Sequence, residues 1–322
     1  MRSSPPAVAV ILPFRNAEPW LAEAVASLVT AAEGLAWQLI AVDDGSTDAG
    51  PALLQRLTAH WPSPQLQLLQ AGGRGVSAAR NLGIQATSAP LIAFLDADDR
   101  ALPRHLRAPL AALAADPQLS HAHGGWLRVQ AGGTPITAVE PWREGAGFDR
   151  EAALTHKAVL PSAWTLRRNA LLAVGGFDAS LSQAEDVDLL LRLAAAGHRG
   201  TWIEEKLVRY RVHAAGASRN LRAQVEGLAN VIDRHLQDAP PHEQAWAAAL
   251  RYVTRSWGAW KAWSEGDPEL ALEVLEQALP TCPLPLPQRP VHFLEHVAHS
   301  SQREGLPFAL SLIHISEPTR RY

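Results

Sequence analysis

Leu91-Ile92-Ala93-Phe94-Leu95-Asp96-Ala97-Asp98-Asp99 sets an apolar run directly against three carboxylates. The apolar half suits a strand buried on both faces of a parallel sheet. The acidic half then stands at that strand's carboxyl end, where ligands of open α/β sheets gather. Adjacent carboxylates repel one another unless a cation or a hydrogen-bonding ligand compensates them. A divalent ion held by hard oxygens would do so, and would neutralise a bound diphosphate as well. The plainer alternative is a solvated acidic loop.

Outward from this stretch the pattern recurs. Ala7 to Leu12 (AVAVIL) predicts another buried strand, ended by Pro13. Ala17 to Ala32 places Trp20, Leu21, Ala24, Val25 and Leu28 at helical spacing. Trp37 to Val42 predicts a strand running into Asp43-Asp44-Gly45-Ser46, followed by a helix over Ala52 to His60. Gln65 to Leu69 then reads as a strand and Gly75 to Ala86 as a helix. Such short alternation predicts an α/β fold, a mostly parallel sheet with right-handed crossovers and flanking helices. Both acidic clusters fall at strand ends.

From Gly124 to Pro161 the pattern weakens, predicting loops and short strands that cover the site. Ala184 to Ala196 predicts a helix opening with Glu185, Asp186 and Asp188. Leu221 to Leu236 and His242 to Leu279 read as helical, and Pro280 to Pro290 as an extended linker. The expected organisation is a site-bearing domain over residues 1–220 and a helical C-terminal extension over 221–309. Residues 310–322 are set apart. Leu310 to Arg320 (LSLIHISEPTR) resembles the in-frame translation of a sequencing adapter, and on that reading the natural gene continues past Ala309.

With 47% apolar and 19% charged residues among 322, the balance is that of a globular protein. The formal net charge of -3 supplies no basic field for a nucleic-acid backbone, which argues against that partner. Cys282 stands alone, excluding an internal disulfide and a Cys-based zinc cluster and fitting a reducing compartment. Met1 to Pro6 is short and polar, the apolar run Ala7 to Leu12 behind it is too short for a signal peptide's core, and no run of about eighteen apolar residues occurs. The expectation is a cytoplasmic protein, a place compatible with peripheral attachment at the inner face of a membrane.

Asp43-Asp44-Gly45-Ser46-Thr47-Asp48 admits two readings. One is an acidic turn in which Ser46 or Asp48 caps the next helix. The other is a strand-tip carboxylate that accepts from a nucleobase N–H, with Gly45 allowing the sharp turn beside it. Glu185, Asp186 and Asp188 either complement a helix dipole or include a general base. His213, within Tyr210-Arg211-Val212-His213, suits a packed side chain or an imidazole completing a metal site with distant carboxylates. Gly72-Gly73-Arg74-Gly75 lacks the G-x-G-x-x-G spacing of a dinucleotide fingerprint.

Taken in order, VAVILPFRN (Val8 to Asn16), VDDGSTD (Val42 to Asp48), GVSAARNLG (Gly75 to Gly83), FLDADD (Phe94 to Asp99), GGFD (Gly175 to Asp178) and EDVD (Glu185 to Asp188) resemble the family 2 glycosyltransferases. The resemblance covers about Ala7 to Asn220. It implies a GT-A fold, an inverting reaction, a nucleoside-diphosphate-sugar donor, a divalent metal (manganese or magnesium) and a glycan or lipid-linked acceptor. Pro13 and Phe14 match the loop lining the nucleoside; Asp44 matches the base-reading acid, with Asp43 beside it. Arg80 matches a basic residue of the nucleotide pocket. Asp96 and Asp98 match the D-x-D acids, Asp98 or Asp99 the metal ligand, and His213 the late histidine near the metal. Asp186 is similar to the acid assigned as base. Where the family usually has tyrosine, this chain has Phe14. A nucleotidyltransferase would instead need a glycine-rich, basic loop after the first strand, which Pro13-Phe14-Arg15-Asn16 does not supply. A noncatalytic sugar-nucleotide-binding protein remains the other alternative.

Overall fold

The structure is a computed structural model. It describes residues 6–61, 65–144, 148–155, 159–214, 216, 220–237, 241–283, 285, 288–289, 293–295, 297–298 and 301. The adapter-like tail lies outside the described residues. Two compact units divide the chain, residues 1–244 and 245–322.

In the first unit, β1 (Val8–Phe14) lies between β2 (Trp37–Asp43) and β4 (Leu91–Phe94), with β3 (Leu66–Gln70) outside β2, all parallel. Every residue of β1 and β2 is buried, as their unbroken apolar runs require. Between them run α1 (Glu18–Ala31), α2 (Gly50–Leu57) and α3 (Val76–Gln85). Helix α1 buries Leu21, Ala24, Val25 and Leu28 in the same cluster as Val8, Val10 and Leu12. A Cβ on Gly83 would lie 2.7 Å from Ile11, so glycine is what lets α3 approach β1 this closely.

Pro13 does not end β1. It pairs in register with Val42, while the pairing with β4 stops at Ile11↔Phe94. The missing N–H therefore falls beyond the reach of the β4 ladder.

The chain continues through β5 (Arg100–Ala101), α4 (Arg107–Ala115), β6 (Leu119–Gln130), β7 (Pro135–Val139) and α5 (Arg150–Thr155). It proceeds through β8 (Trp164–Arg167), α6 (Arg168–Ala173), α7 (Glu185–Ala195), β9 (Arg199–Val212) and α8 (Leu221–Gln237). The sheet order is β3-β2-β1-β4-β8-β6-β9-β5, with β7 paired to β6. Strand β8 runs antiparallel to β4 and β6, while β6 and β9 are parallel.

The stretch expected to be loops and short strands from Gly124 is in part the second half of the 12-residue β6. Its glycines mark crowding. A Cβ on Gly124 would lie 2.4 Å from Leu207, and one on Gly125 would lie 2.4 Å from the Val139 carbonyl. His121 and His123 are likewise fully buried, each ring edge-on or tilted to Trp164, with Trp202 beside His123. Burial holds both imidazoles neutral, pushing each down to about 3.

In the second unit, the helix expected over His242 to Leu279 is two. α9 (Pro241–Ser264), which begins in the first unit, and α10 (Pro268–Ala278) are separated at Gly266, whose φ is +84. Asp267 caps α10, accepting from Leu270 N at 3.0 Å. Tyr252, Ala278 and Cys282 are buried together there.

Candidate active site

The end of β2 supplies the first acids. Asp43 Oδ1 accepts from Ser46 N at 2.8 Å, which closes the turn through Gly45 at φ +80. Asp44 Oδ2 accepts from Gly75 N at 2.9 Å, while its Oδ1 is buried and has no partner. An orphaned buried carboxylate oxygen is costly unless a ligand donor reaches it. Of the two aspartates, Asp44 alone has that vacant acceptor. Phe14, at the end of β1, is 3% exposed and belongs to the core, and Pro13 beside it is buried.

The acidic-turn reading of DDGSTD finds its partners at Asp48. Asp48 Oδ1 accepts from Gly50 N at 3.0 Å, opening α2, and Oδ2 accepts from Glu18 N at 2.9 Å, opening α1. Asn16, at φ +51, accepts from Thr47 N at 2.7 Å and donates its own N–H to Ser46 Oγ at 3.0 Å. The β1 and β2 tips are thus one laced unit.

At the end of β4 the three acids part company. Asp96 receives Arg80 Nη2 at 2.8 Å. Asp98 Oδ2 lies 2.8 Å from His213 Nε2, just beyond β9, bringing together residues 115 apart in sequence. Asp99 is buried and accepts from the backbone N–H of Arg211 at 3.1 Å. Burial and then the charge of Asp96 push the Asp98 carboxyl up, against the hydrogen bond to His213. Asp99 stands well above the ordinary carboxylate range, from burial and then the charges of Asp98 and Asp96.

Arg211 ties this end together, though no sequence motif marks it. Its guanidinium donates to the carbonyls of Asp98 and Ala131 and to Glu23 Oε2, and lies 4.5 Å above the Trp20 ring. Trp20 also stacks against His213, 5.3 Å between ring centroids. Ser162 Oγ accepts from Asp96 N at 3.0 Å, another contact without a motif.

The start of α7 completes the site. Glu185 Oε1 takes Arg80 Nη1 at 2.7 Å, so Arg80 bridges Asp96 and the helix. Burial alone would lower the Arg80 pKa; its two carboxylates overrule that and raise it. Asp186, half-buried, accepts from Val187 N at 2.8 Å. Burial, then the charge of Glu185, pushes it up to about 7. Asp188 differs: 1% exposed, it binds Arg192 at 2.7 Å and His235 Nε2 at 2.9 Å, tying α7 to α8. Burial would raise its pKa, but those two partners hold it low.

Among the described residues no group of three or more His, Cys, Asp or Glu converges as a metal cage. The Asp98–His213 pair offers one hard oxygen and one imidazole nitrogen. That donor set fits an ion which takes the rest of its shell from substrate phosphates and water.

The sheet, with helices flanking it and acids at its strand ends, is of the GT-A type. It resembles the mannosyltransferase PcManGT from Pyrobaculum calidifontis, solved with GDP-Man and Mn2+, at a TM-score of 0.60 and 18% identity over 94% of this chain and 88% of that one. It also resembles TarS 1-349 of S. aureus, solved with UDP, at a TM-score of 0.58 and 15% identity over 92% and 88%. Residues 9–173 match glycosyl transferase family 2, and the chain belongs to that family. A pre-mycofactocin glycosyltransferase of Mycobacterium tuberculosis is 33% identical over 198 residues, which are 60% of this chain and 40% of that protein. The match thus spans well under two thirds of that relative's length.

Proposed function

We propose that this protein is an inverting glycosyltransferase moving a sugar from a nucleoside diphosphate to an acceptor hydroxyl. Family membership supports the reaction class. The carrying observation is the partition of the acids. Asp44 keeps a buried vacant acceptor, Asp98 meets His213, and Asp186 is a carboxyl raised to about 7 without a cation bonded to it.

Asp44 Oδ1 accepts from the nucleobase, with Asp43 holding the turn. Asp98 and His213 would hold a divalent ion, manganese or magnesium, whose charge stabilises the diphosphate as it departs. Asp99 serves as the anchor of β9, so of the two acids Asp98 is the ligand. Asp186 receives the acceptor's proton as the hydroxyl oxygen bonds to the anomeric carbon. The bond from that carbon to the diphosphate oxygen breaks on the opposite face, which inverts the configuration. A base with a pKa near the working pH is well matched to this task.

No described helix is long and apolar enough to cross a membrane. We place the acceptor, a glycan or lipid-linked hydroxyl, on the α7 side of the site. Incubation with a panel of nucleoside-diphosphate sugars tests the reading. Release of nucleoside diphosphate in manganese and not in chelator is expected; release of pyrophosphate would instead mark a nucleotidyltransferase.

A further inference from the structure

Residues 79–83, the second half of the GVSAARNLG motif, and the GGFD motif (Gly175 to Asp178) take no part in the chemistry above. Asn81 and Phe177 exchange two hydrogen bonds: Asn81 Nδ2 donates to the Phe177 carbonyl at 2.7 Å, and its Oδ1 accepts from the Phe177 N–H at 2.8 Å. Gly176 has φ +72, and a Cβ there would lie 2.5 Å from Asn81 Oδ1, so only glycine admits this contact. The Phe177 ring packs edge-on to Phe94 at 5.4 Å, and the Arg80 guanidinium lies 5.2 Å from its centre. Arg80 itself is 3% exposed and grips Asp96 and Glu185.

Two consecutive residues of α3 therefore fix both ends of the stretch that leads into α7. Asn81 holds position 177, and Arg80 holds position 185, next to Asp186. Between them Ala184 sits at φ +60, a conformation that alanine keeps only where its surroundings impose it.

We infer that Arg80 and Asn81 are positioning residues: they hold Asp186 in fixed relation to the strand-end acids and do not contact the nucleotide. This rests on Asp186 being the base. A displacement of about 1 Å at such a group costs on the order of 10²-fold in rate. Lysine cannot replace the two-pronged grip of Arg80, because a point charge lacks the fork that serves two carboxylates at once.

Arg80→Lys and Asn81→Ala in the full chain test this, with two readouts. Amide hydrogen exchange over residues 177–190 is expected to quicken in both variants while that of β1 and β2 stays as in the wild type. Steady-state transfer is expected to lose about 10²-fold in kcat with donor affinity unchanged. Unaltered exchange overturns the inference whatever the enzyme transfers. Weakened donor binding in Arg80→Lys with unaltered exchange makes Arg80 a nucleotide contact. If Asp186→Asn retains full turnover, the base assignment fails instead, and the exchange result still decides whether α3 holds α7. Should either variant not fold, Glu185→Gln is measured in the same way, and unchanged exchange there also overturns the inference.

Discussion

Asp98 and His213 meet at 2.8 Å across 115 residues of chain, one from the end of β4 and the other just past β9. If this pair holds the ion, Asp98→Asn and His213→Ala should each weaken nucleoside diphosphate binding in manganese by about 10–100-fold. Calorimetric titration in manganese and in chelator measures it. Equal wild-type affinity in both conditions would remove the metal from the mechanism.

Asp186→Asn separates two roles for one side chain. As a helix-dipole partner alone, Asp186 would contribute at most about 1 kcal/mol of stability and leave turnover intact. As the base, its loss should lower kcat by ~10²–10⁴-fold with donor affinity unchanged. Transfer assays beside donor titrations distinguish them.

The raised Asp186 pKa has two consequences in pH. Transfer should climb as pH passes through about 7, since the base works ionised. Stability should move the other way. The folded value exceeds the ordinary 3.8, so the native state binds the proton more tightly. That contribution is complete below 3.8 and is lost as pH rises through about 7. Melting temperatures at pH 5 and pH 8 should differ less in Asp186→Asn than in the wild type. An identical difference in the two proteins would contradict the shift.

Asp188 acts through structure. Asp188→Ala leaves Arg192 and His235 without their buried carboxylate and should cost about 3 kcal/mol, read from chemical denaturation. Its pKa is depressed, so its contribution is present above the ordinary range and fades as pH falls through the folded value. Donor binding should survive at temperatures where the variant is folded. Glu185 is no neutral comparison for Asp186, because it holds Arg80.

The first half of the sheet was legible because β1, β2 and β4 are buried on both faces and so read as unbroken apolar runs. Order and position at strand ends brought Asp44, Asp96 and Asp98 forward. Strand β6 was hidden by buried histidines and glycines, whose meaning lies in close neighbours from β7, β8 and β9. Arg211 was invisible for another reason. Its partners Glu23 and Asp98 are 188 and 113 residues away, and a lone arginine in a strand carries no local sign of them. The same distance hid the bridge from Arg80 to Glu185, 105 residues apart.

Because β9 supplies the backbone N–H for Asp99, and the residue just beyond it meets Asp98, the order of synthesis acquires a meaning. While the chain grows on the ribosome, the strands up to β4 can pair as soon as they emerge, since their neighbours are close in sequence. Asp96 already has Arg80, but Asp98 and Asp99 must wait, mutually repelling, until about a hundred further residues have been made. At ribosomal speeds of about 5–20 residues per second, that interval lasts roughly 5–20 seconds. A nascent chain halted before β9 would carry a nearly complete sheet edge with an open acidic tip, a species for chaperones to shield.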